Sequence, residues 1–132
     1  MSRENVDLLM RAYEAWNRRD FDALLSLVQP EVVLVQDPAI PGAETVEGSD
    51  ELQSWLRAFS DTWEEFSLTP EKVADSEDAV AVVVRVEAKG RSSGVELDAR
   101  VGHLMTVEGG KVSGLRTFND AEQVFAALRS AG

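Results

Sequence analysis

The sequence predicts an α+β fold: a curved antiparallel sheet wrapped around N-terminal helices, forming a cone with an internal pocket. Apolar residues follow helical spacing in most of the first half of the chain, whereas alternating and β-branched stretches dominate the second half. Helices segregated ahead of a strand meander are typical of α+β proteins and not of alternating α/β proteins. The expected pocket follows from curling such a sheet around an amphipathic helix that carries two tryptophans.

Composition limits the classes of function. The 132 residues, 44% of them hydrophobic, predict a single domain over 1–132 with a packed core. The formal net charge of -11 disfavours nucleic acid and anionic membranes as partners. Cysteine is absent and there is one histidine, which excludes Cys-type and two-His metal sites. The acidic residues lack metal-ligand spacing and there is no glycine-rich phosphate loop, so no metal and no cofactor are expected. The polar N-terminus and short apolar runs favour a cytoplasmic location.

The pattern of the first half of the chain predicts two helices, a strand and a third helix, in that order. Residues 2–19 have helical apolar spacing, and Asp20 is a suitable N-cap for a second short helix that Pro30 ends. The β-branched run 32–35 predicts a buried strand. Proline and glycine then indicate a loop over 38–48, and a third helix opens at Ser49.

The second half reads as a meander of strands. Residues 68–74 are a weak candidate whose Pro70 indicates an edge strand, and 79–88 is the strongest candidate. Longer strands are predicted over 95–107 and 111–118, joined by a tight turn at Gly109 and Gly110. Asp120 and Gln123 form a capping-box pattern for a closing helix through Leu128.

Three short motifs occur in an order that is typical of one superfamily. Residues 12–24 (AYEAWNRRDFDAL) resemble the opening segment of SnoaL-like proteins, residues 48–52 (GSDEL) resemble their entry to the third helix, and residues 109–112 (GGKV) resemble their strand turn. Over about residues 4–120 the chain is similar to the nuclear-transport-factor-2-like superfamily. That superfamily includes ketosteroid isomerases, SnoaL-type polyketide cyclases and limonene-epoxide hydrolases. Such a fold hosts enzymes and binding modules alike, so the resemblance implies a fold more than a reaction.

Asp37 is the candidate catalytic residue. It follows the first predicted strand and precedes Pro38, which resembles the Val-x-Asp-Pro of ketosteroid isomerase, whose Asp is the general base. Apolar neighbours at a pocket mouth are expected to raise the pKa of its carboxyl and suit it to move a proton next to a carbonyl. The alternative interpretation is an ordinary Asp-Pro turn.

The rest of the isomerase site is not matched. Counting along the motifs, the Tyr that stabilises the oxyanion falls on Ala12 and the late-strand Asp falls on Gly102, so steroid isomerase activity is not predicted. The same count makes His103 face outward, in a structural role. An epoxide-hydrolase-like set built from Asp37, Asp98 and Arg100 is a further alternative.

A mostly apolar cavity is expected between the helices and the sheet. Its ligand-binding residues are predicted to be Trp16, Trp55, Phe59, Leu104, Leu115, Thr117 and Asn119. The convex sheet face is expected to mediate a homodimer, as in the relatives that the chain resembles. The residues predicted on that face are Ala81, Val83, Arg85, Met105, Val107, Val112 and Phe118.

Two functional hypotheses remain open at this point. The first is a SnoaL-like small-molecule-binding protein that acts as an isomerase, cyclase or hydrolase on an apolar carbonyl or epoxide compound through Asp37. The second is a non-catalytic dimeric module that binds a small apolar ligand or another protein.

Overall fold

The computed structural model describes residues 2–40 and 43–131. Four helices are described: α1 (Ser2–Asn17), α2 (Phe21–Leu25), α3 (Ser49–Thr62) and α4 (Gln123–Ala131). The strands are β1 (Val28–Val35), β2 (Thr45–Glu47), β3 (Trp63–Asp75), β4 (Ala79–Gly90), β5 (Glu96–Glu108) and β6 (Lys111–Phe118). The loop markers Pro41 and Gly42 lie outside the described residues.

The strands form one sheet in the order β2-β1-β6-β5-β4-β3. Four of the neighbouring pairs are antiparallel, and β1 pairs with β6 in parallel, with Leu34 opposite Leu115. The predicted α+β class is therefore confirmed, and the sheet is mixed but mostly antiparallel. The parallel pair was not predicted, because β1 and β6 are distant in sequence and no local pattern encodes their contact.

Strand β4 is buried on both faces. Val80, Val82 and Val84 are fully buried in the inner core cluster, together with residues of α1 and α3. Ala81 and Val83 alternate with them and belong to a second, outer cluster with Val124 and other residues of α4. Because residues alternate between the faces of a strand, a near-continuous apolar run is what a strand covered on both sides requires.

Helix α4 covers part of the face on which the homodimer was predicted. A Cβ atom built on Gly102 would lie 2.6 Å from the Ala121 carbonyl oxygen and 2.8 Å from the Val124 Cβ, so glycine is what lets α4 approach this closely. Of the residues predicted on this face, Ala81, Val83 and Phe118 do lie here, in contact with the α4 cluster.

Three other residues predicted on the convex face lie on the opposite side. Met105, Val107 and Val112 pack in or against the inner cluster under the helices, so their predicted orientation is wrong. The residues of β5 face the sides of the sheet opposite to those predicted, for the reason given below for His103. On β6 only Val112 is reversed, because it lies beyond the register shift, whereas Phe118 faces outward as predicted.

The end of α1 is tied to the edge strand β3 by Asn17. Its side-chain amide donates to the Leu68 carbonyl oxygen at 2.9 Å and accepts from the Leu68 N–H at 2.9 Å. Leu68 lies on a strand that has a neighbour on one side only, so Asn17 pairs two backbone groups on the free edge.

Arg19, two residues after Asn17, also links the end of α1 to the rest of the fold. Its guanidinium donates to the Ser60 hydroxyl at 3.0 Å and to the Trp63 and Glu64 carbonyl oxygens at 3.1 and 3.0 Å. Arg19 itself has φ 58, a left-handed conformation that costs energy for a residue with a Cβ. The WNRR segment at 16–19 thus joins α1 to the junction of α3 and β3.

Element boundaries differ from the prediction in four places. Strand β1 begins at Val28 and passes through Pro30, where the pairing with β6 shifts register. The short strand β2 lies inside the predicted loop, β3 starts immediately after α3, and α4 begins at Gln123. Tertiary pairing extends these strands beyond what local sequence pattern indicates.

Asn17→Asp is expected to destabilise the fold by about 1–3 kcal/mol, because a carboxylate cannot donate to the Leu68 carbonyl and leaves that group unpaired. Denaturant unfolding measures the change. Gln53→Glu, the same amide-to-carboxylate change at an exposed position of α3, is the matched control and should have little effect. Equal stability of the two variants would contradict the role given to Asn17.

Candidate functional site

A buried polar pair lies at the centre of the inner sheet face. The Tyr13 hydroxyl of α1 and Nδ1 of His103 on β5 are 2.8 Å apart, across 90 residues of sequence. Both residues are 7% exposed. His103 is flanked by Val82 on β4 and Thr117 on β6, which lie opposite it in the sheet.

The prediction that His103 faces outward is wrong. Gly102 faces α4 and His103 faces α1. The residues of β5 therefore face the sides of the sheet opposite to those predicted. The turn Gly109–Gly110 has only two residues, with φ 60 and 76, and the pairing of β5 with β6 shifts register between Thr106 and Val107. Counting back across this hairpin therefore gives the wrong face, because one residue of shift exchanges the two faces of a strand.

Both members of the pair are uncharged near neutral pH. Burial lowers the pKa of His103 to about 4 and raises the pKa of Tyr13 well above its usual value. Burial disfavours the charged form of each group, and no neighbouring charge offsets it. The site is therefore a neutral imidazole bonded to a neutral phenol.

The Tyr13–His103 pair has one hydrogen-bond donor and one acceptor that their mutual bond does not use. A neutral imidazole has one donor and one acceptor, and a phenol has one donor and acceptor lone pairs. Their mutual bond uses one of each, so either tautomer of His103 leaves one donor and one acceptor free. Nε2 makes no hydrogen bond to the described residues.

Aromatic rings wall the space between α1, α3 and β3. The Trp16 ring centroid lies 5.1 Å from that of Phe59, 5.5 Å from Phe66 and 6.1 Å from Trp55. These rings contact one another in the region where a pocket was expected. Trp16 and Trp55 are partly buried and pack against the inner cluster.

The inner face of β5 and β6 around the Tyr13–His103 pair is the candidate binding region, and we call it the cleft over β5 and β6. Thr117 lies opposite His103 there, and Leu115 is two residues before Thr117 on the same strand. Leu115 is only partly buried against the inner cluster. Of the predicted ligand-binding residues, Leu115 and Thr117 lie on the inner face of β6, whereas Trp16, Trp55 and Phe59 contact one another in an aromatic cluster.

Two predicted ligand-binding residues lie elsewhere. Leu104 belongs to the outer cluster with α4, so its predicted position in the cavity wall is wrong. The cause is the one given for His103: the register shift makes the residues of β5 face the opposite sides of the sheet from those predicted. Asn119 is exposed at the end of β6, where its backbone N–H donates to Asp37 at 2.9 Å.

Asp37 is held as an anion at a strand junction. Its carboxylate accepts the N–H of Asn119 at 2.9 Å and of Ala39 at 3.0 Å, while its own N–H donates to the Thr117 hydroxyl at 3.1 Å. These two backbone hydrogen bonds, that of Asn119 first, lower the pKa of Asp37, and Arg116 adds to the effect. The expected rise of this pKa is wrong, because backbone donors outweigh the apolar neighbours.

The alternative set of Asp37, Asp98 and Arg100 is not assembled. Asp98 pairs with Arg85 at 2.8 Å and Arg100 pairs with Glu71 at 2.6 Å. These ion pairs lie on the exposed outer face of the sheet. His103 is the residue that the sequence reasoning missed, because its facing is set by the register shift between Thr106 and Val107, and no local sequence pattern signals that shift.

An open groove lies at the C-terminal end of α1. It has a volume of about 890 Å³ and is lined by the end of α1 and by parts of β3, β4 and β5. Neither Asp37 nor the Tyr13–His103 pair lines it. Within the described ranges, no group of three or more acidic or histidine side chains is arranged to hold a metal ion, and no helix is long and apolar enough to cross a membrane.

Solved structures with this fold are numerous, and the similarity covers nearly the whole chain. A nuclear-transport-factor-2-like protein of unknown function from Burkholderia pseudomallei is 21% identical, with a TM-score of 0.81 over 97% of this chain and 98% of that one. TerC, co-crystallised with polyporic acid, is 20% identical, with a TM-score of 0.78 over 96% and 98%. A protein of ketosteroid isomerase-like fold from Catenulispora acidiphila, in complex with trimethylamine, is 15% identical, with a TM-score of 0.75 over 92% of each chain.

Sequence identities of 15–21% to these solved structures show that the fold is shared, but they do not show a shared activity. No curated protein matches the sequence significantly. The sequence profile of the SnoaL-like domain, however, matches residues 9–115, which include both Tyr13 and His103. The chain therefore belongs to the SnoaL-like domain family and has the nuclear-transport-factor-2-like, ketosteroid-isomerase-like fold.

Proposed function

We propose that this protein binds a small, uncharged, mainly apolar molecule in the cleft over β5 and β6. The observation that carries the proposal is the buried hydrogen bond between Tyr13 and His103. A polar pair with one free donor and one free acceptor, surrounded by apolar and aromatic side chains, is the usual form of a small-molecule site.

The charge of the site selects the ligand class. Burial keeps Tyr13 and His103 neutral, so neither offers a counter-charge to an ionised ligand. Moving an unpaired charge into an apolar interior is costly. An uncharged oxygen, such as a ketone or a hydroxyl, matches the free donor and acceptor of the pair.

Relatives of the same fold support a binding role. TerC was co-crystallised with polyporic acid, and the Catenulispora acidiphila protein is in complex with trimethylamine. The proposal assigns no reaction to Asp37, because a carboxylate whose pKa is lowered is a weaker base.

The proposed homodimer has a smaller apolar surface than the sequence suggested. Helix α4 covers Ala81, Val83 and Phe118, and the uncovered part of the outer face is charged, with the Arg85–Asp98 and Arg100–Glu71 pairs. Dimerisation through this face is expected to weaken with salt, since exposed ion pairs are screened. A monomeric mass by light scattering at micromolar concentration and low salt would contradict it.

Wild-type protein is expected to bind 2-tetralone more tightly than tetralin, which has the same ring system without the carbonyl. Tyr13→Phe should reduce that preference by about 2- to 12-fold, the size of one lost hydrogen bond. Calorimetry measures both ligands. Thr69→Val removes a hydroxyl from an exposed strand position and is the matched control. An unchanged preference in Tyr13→Phe would contradict the placement of the site.

Stability is expected to fall as pH decreases from 7 to 5. The folded pKa of His103 is about 4 and the ordinary value is 6.5, so the unfolded chain binds the extra proton in this interval and is favoured. The expected loss is about 2 kcal/mol, measured by denaturant unfolding at the two pH values.

His103→Gln separates the contribution of His103 to the pH dependence of stability from that of the carboxylates, because the chain has no other histidine. The variant should lose clearly less stability than wild type between pH 7 and 5. Identical pH dependence of the two proteins would show that His103 titrates normally in the folded state.

A further inference from the structure

We propose that residues 96–100 of β5 are a docking edge for an extended segment of another protein, in which basic and apolar residues alternate. The segment adds to the sheet as a strand antiparallel to β5. The inference is independent of the proposed function, because it uses neither Tyr13 nor His103.

Half of β5 has a neighbouring strand on one side only. Strand β4 pairs with β5 from Glu96 to Thr106, whereas β6 pairs with it only from Gly102 onward. In the part of the chain that the structure describes, residues 96–101 therefore pair with β4 alone. Glu96, Asp98 and Arg100 are all exposed, so this edge is open to solvent.

The hydrogen-bond register shows which backbone groups are unpaired along this edge. At the hairpin, the Gly90 N–H donates to the Val95 carbonyl oxygen at 2.8 Å. Along antiparallel strands, every second pair of opposite residues is hydrogen-bonded. The register of β4 with β5 is unbroken, so the N–H and C=O groups of Glu96, Asp98 and Arg100 point away from β4. They offer three donors and three acceptors to a further strand.

The outer edges of the sheet are protected in ways that this edge is not. Strand β2, at one end of the sheet, has only three residues. On β3, at the other end, Asn17 pairs both backbone groups of Leu68, Arg19 binds two carbonyl oxygens, and Pro70 has no N–H. Such devices keep edges from pairing with other chains. The unguarded backbone at 96–100 is therefore suited to bind one.

The inner face of the docking edge is apolar. Ala99 and Val101 lie opposite Val86 and Val84 of the inner cluster, so they face inward together with Leu97. Leu97 is 41% exposed, which is unusual for a leucine on an inner sheet face. Apolar side chains at alternate positions of an added strand would contact this row, since opposite residues of antiparallel strands share a face.

The charge around the docking edge favours a basic partner. The open groove at the end of α1 adjoins this edge, and its lining includes five carboxylates against two basic side chains. The acidic residues are Glu64, Glu65, Glu87, Glu96 and Asp98. Arg19 is already bonded to backbone carbonyls, and Lys89 lies 3.8 Å from Glu64. With a net charge of -11, a second copy of the chain is disfavoured because like charges repel.

Antiparallel addition makes a specific demand on the partner backbone. Partner residues opposite Glu96 and Asp98 place their side chains on the outer face and exchange both backbone hydrogen bonds with β5. These are the basic residues. The apolar residues between them face Leu97, and their N–H groups point away from β5. Main-chain bonds thus supply affinity, and the alternating side chains supply specificity.

A fluorescent, end-capped heptapeptide of alternating lysine and valine is the probe, and fluorescence anisotropy measures its binding. Methylating the backbone nitrogens of the lysines should lower affinity by about tenfold or more, because it removes several hydrogen bonds to β5. Methylating those of the valines, which point away from β5, should change affinity by less than about twofold. The two methylated peptides have the same charge and are matched controls for each other.

Variants of the protein locate the bound peptide. Glu96→Pro removes one N–H of the edge at the first residue of β5, a position where proline is tolerated. It should weaken binding by about 2- to 12-fold relative to Glu96→Gln, which removes the same charge and keeps the N–H. Leu97→Ser should also weaken binding, whereas Val73→Ser, at a valine of β3 that is 39% exposed, should not. Circular dichroism checks that each variant is folded.

Several outcomes would overturn the docking edge. Wild type that does not bind the peptide contradicts it, and equal affinity for the two methylated peptides shows attraction by charge alone. Binding that survives unchanged in Glu96→Pro and Leu97→Ser places the peptide elsewhere. Self-association of wild type in light scattering that Glu96→Pro abolishes and Glu96→Gln keeps makes a second copy the occupant. None of these results bears on the proposed function, whose probe is 2-tetralone.

Discussion

The hydrogen bond between Tyr13 and His103 is the constraint on which the site depends. An imidazole at the centre of an apolar sheet face requires a partner, and the Tyr13 hydroxyl supplies it from α1. The bond fixes the height and rotation of α1 over the sheet, while Asn17 and Arg19 fix its end. Together these contacts set the position of the helix that forms one wall of the cleft.

The fold was largely predictable from sequence, and the site was not. Helical spacing indicated α1 and α3, and the valine run indicated β4, because these patterns record which residues are buried. The facing of His103 depends on one residue of shift in a hairpin, which periodicity cannot fix. The pKa of Asp37 depends on the backbone N–H of Asn119, 82 residues away, which no local pattern contains.

A local match to a catalytic motif can therefore carry a different role. The VQDP segment at 35–38 has the residues of an isomerase base, yet its carboxylate joins the end of β1 to the end of β6. What the chain shares with its structural neighbours is the frame of helices over a curved sheet. The chemistry depends on the few polar side chains that face the interior, and in this chain those include a phenol and an imidazole.

The central claim is that His103 is a buried neutral imidazole bonded to Tyr13. It is tested most directly by the ring-nitrogen NMR shifts of His103, which are unambiguous because the chain has one histidine. The account predicts the shifts of a neutral ring at pH 7 that are essentially unchanged at pH 5, and a perturbation of Nδ1 in Tyr13→Phe. Shifts of a protonated imidazolium at pH 5, or Nδ1 shifts indifferent to Tyr13→Phe, would contradict it.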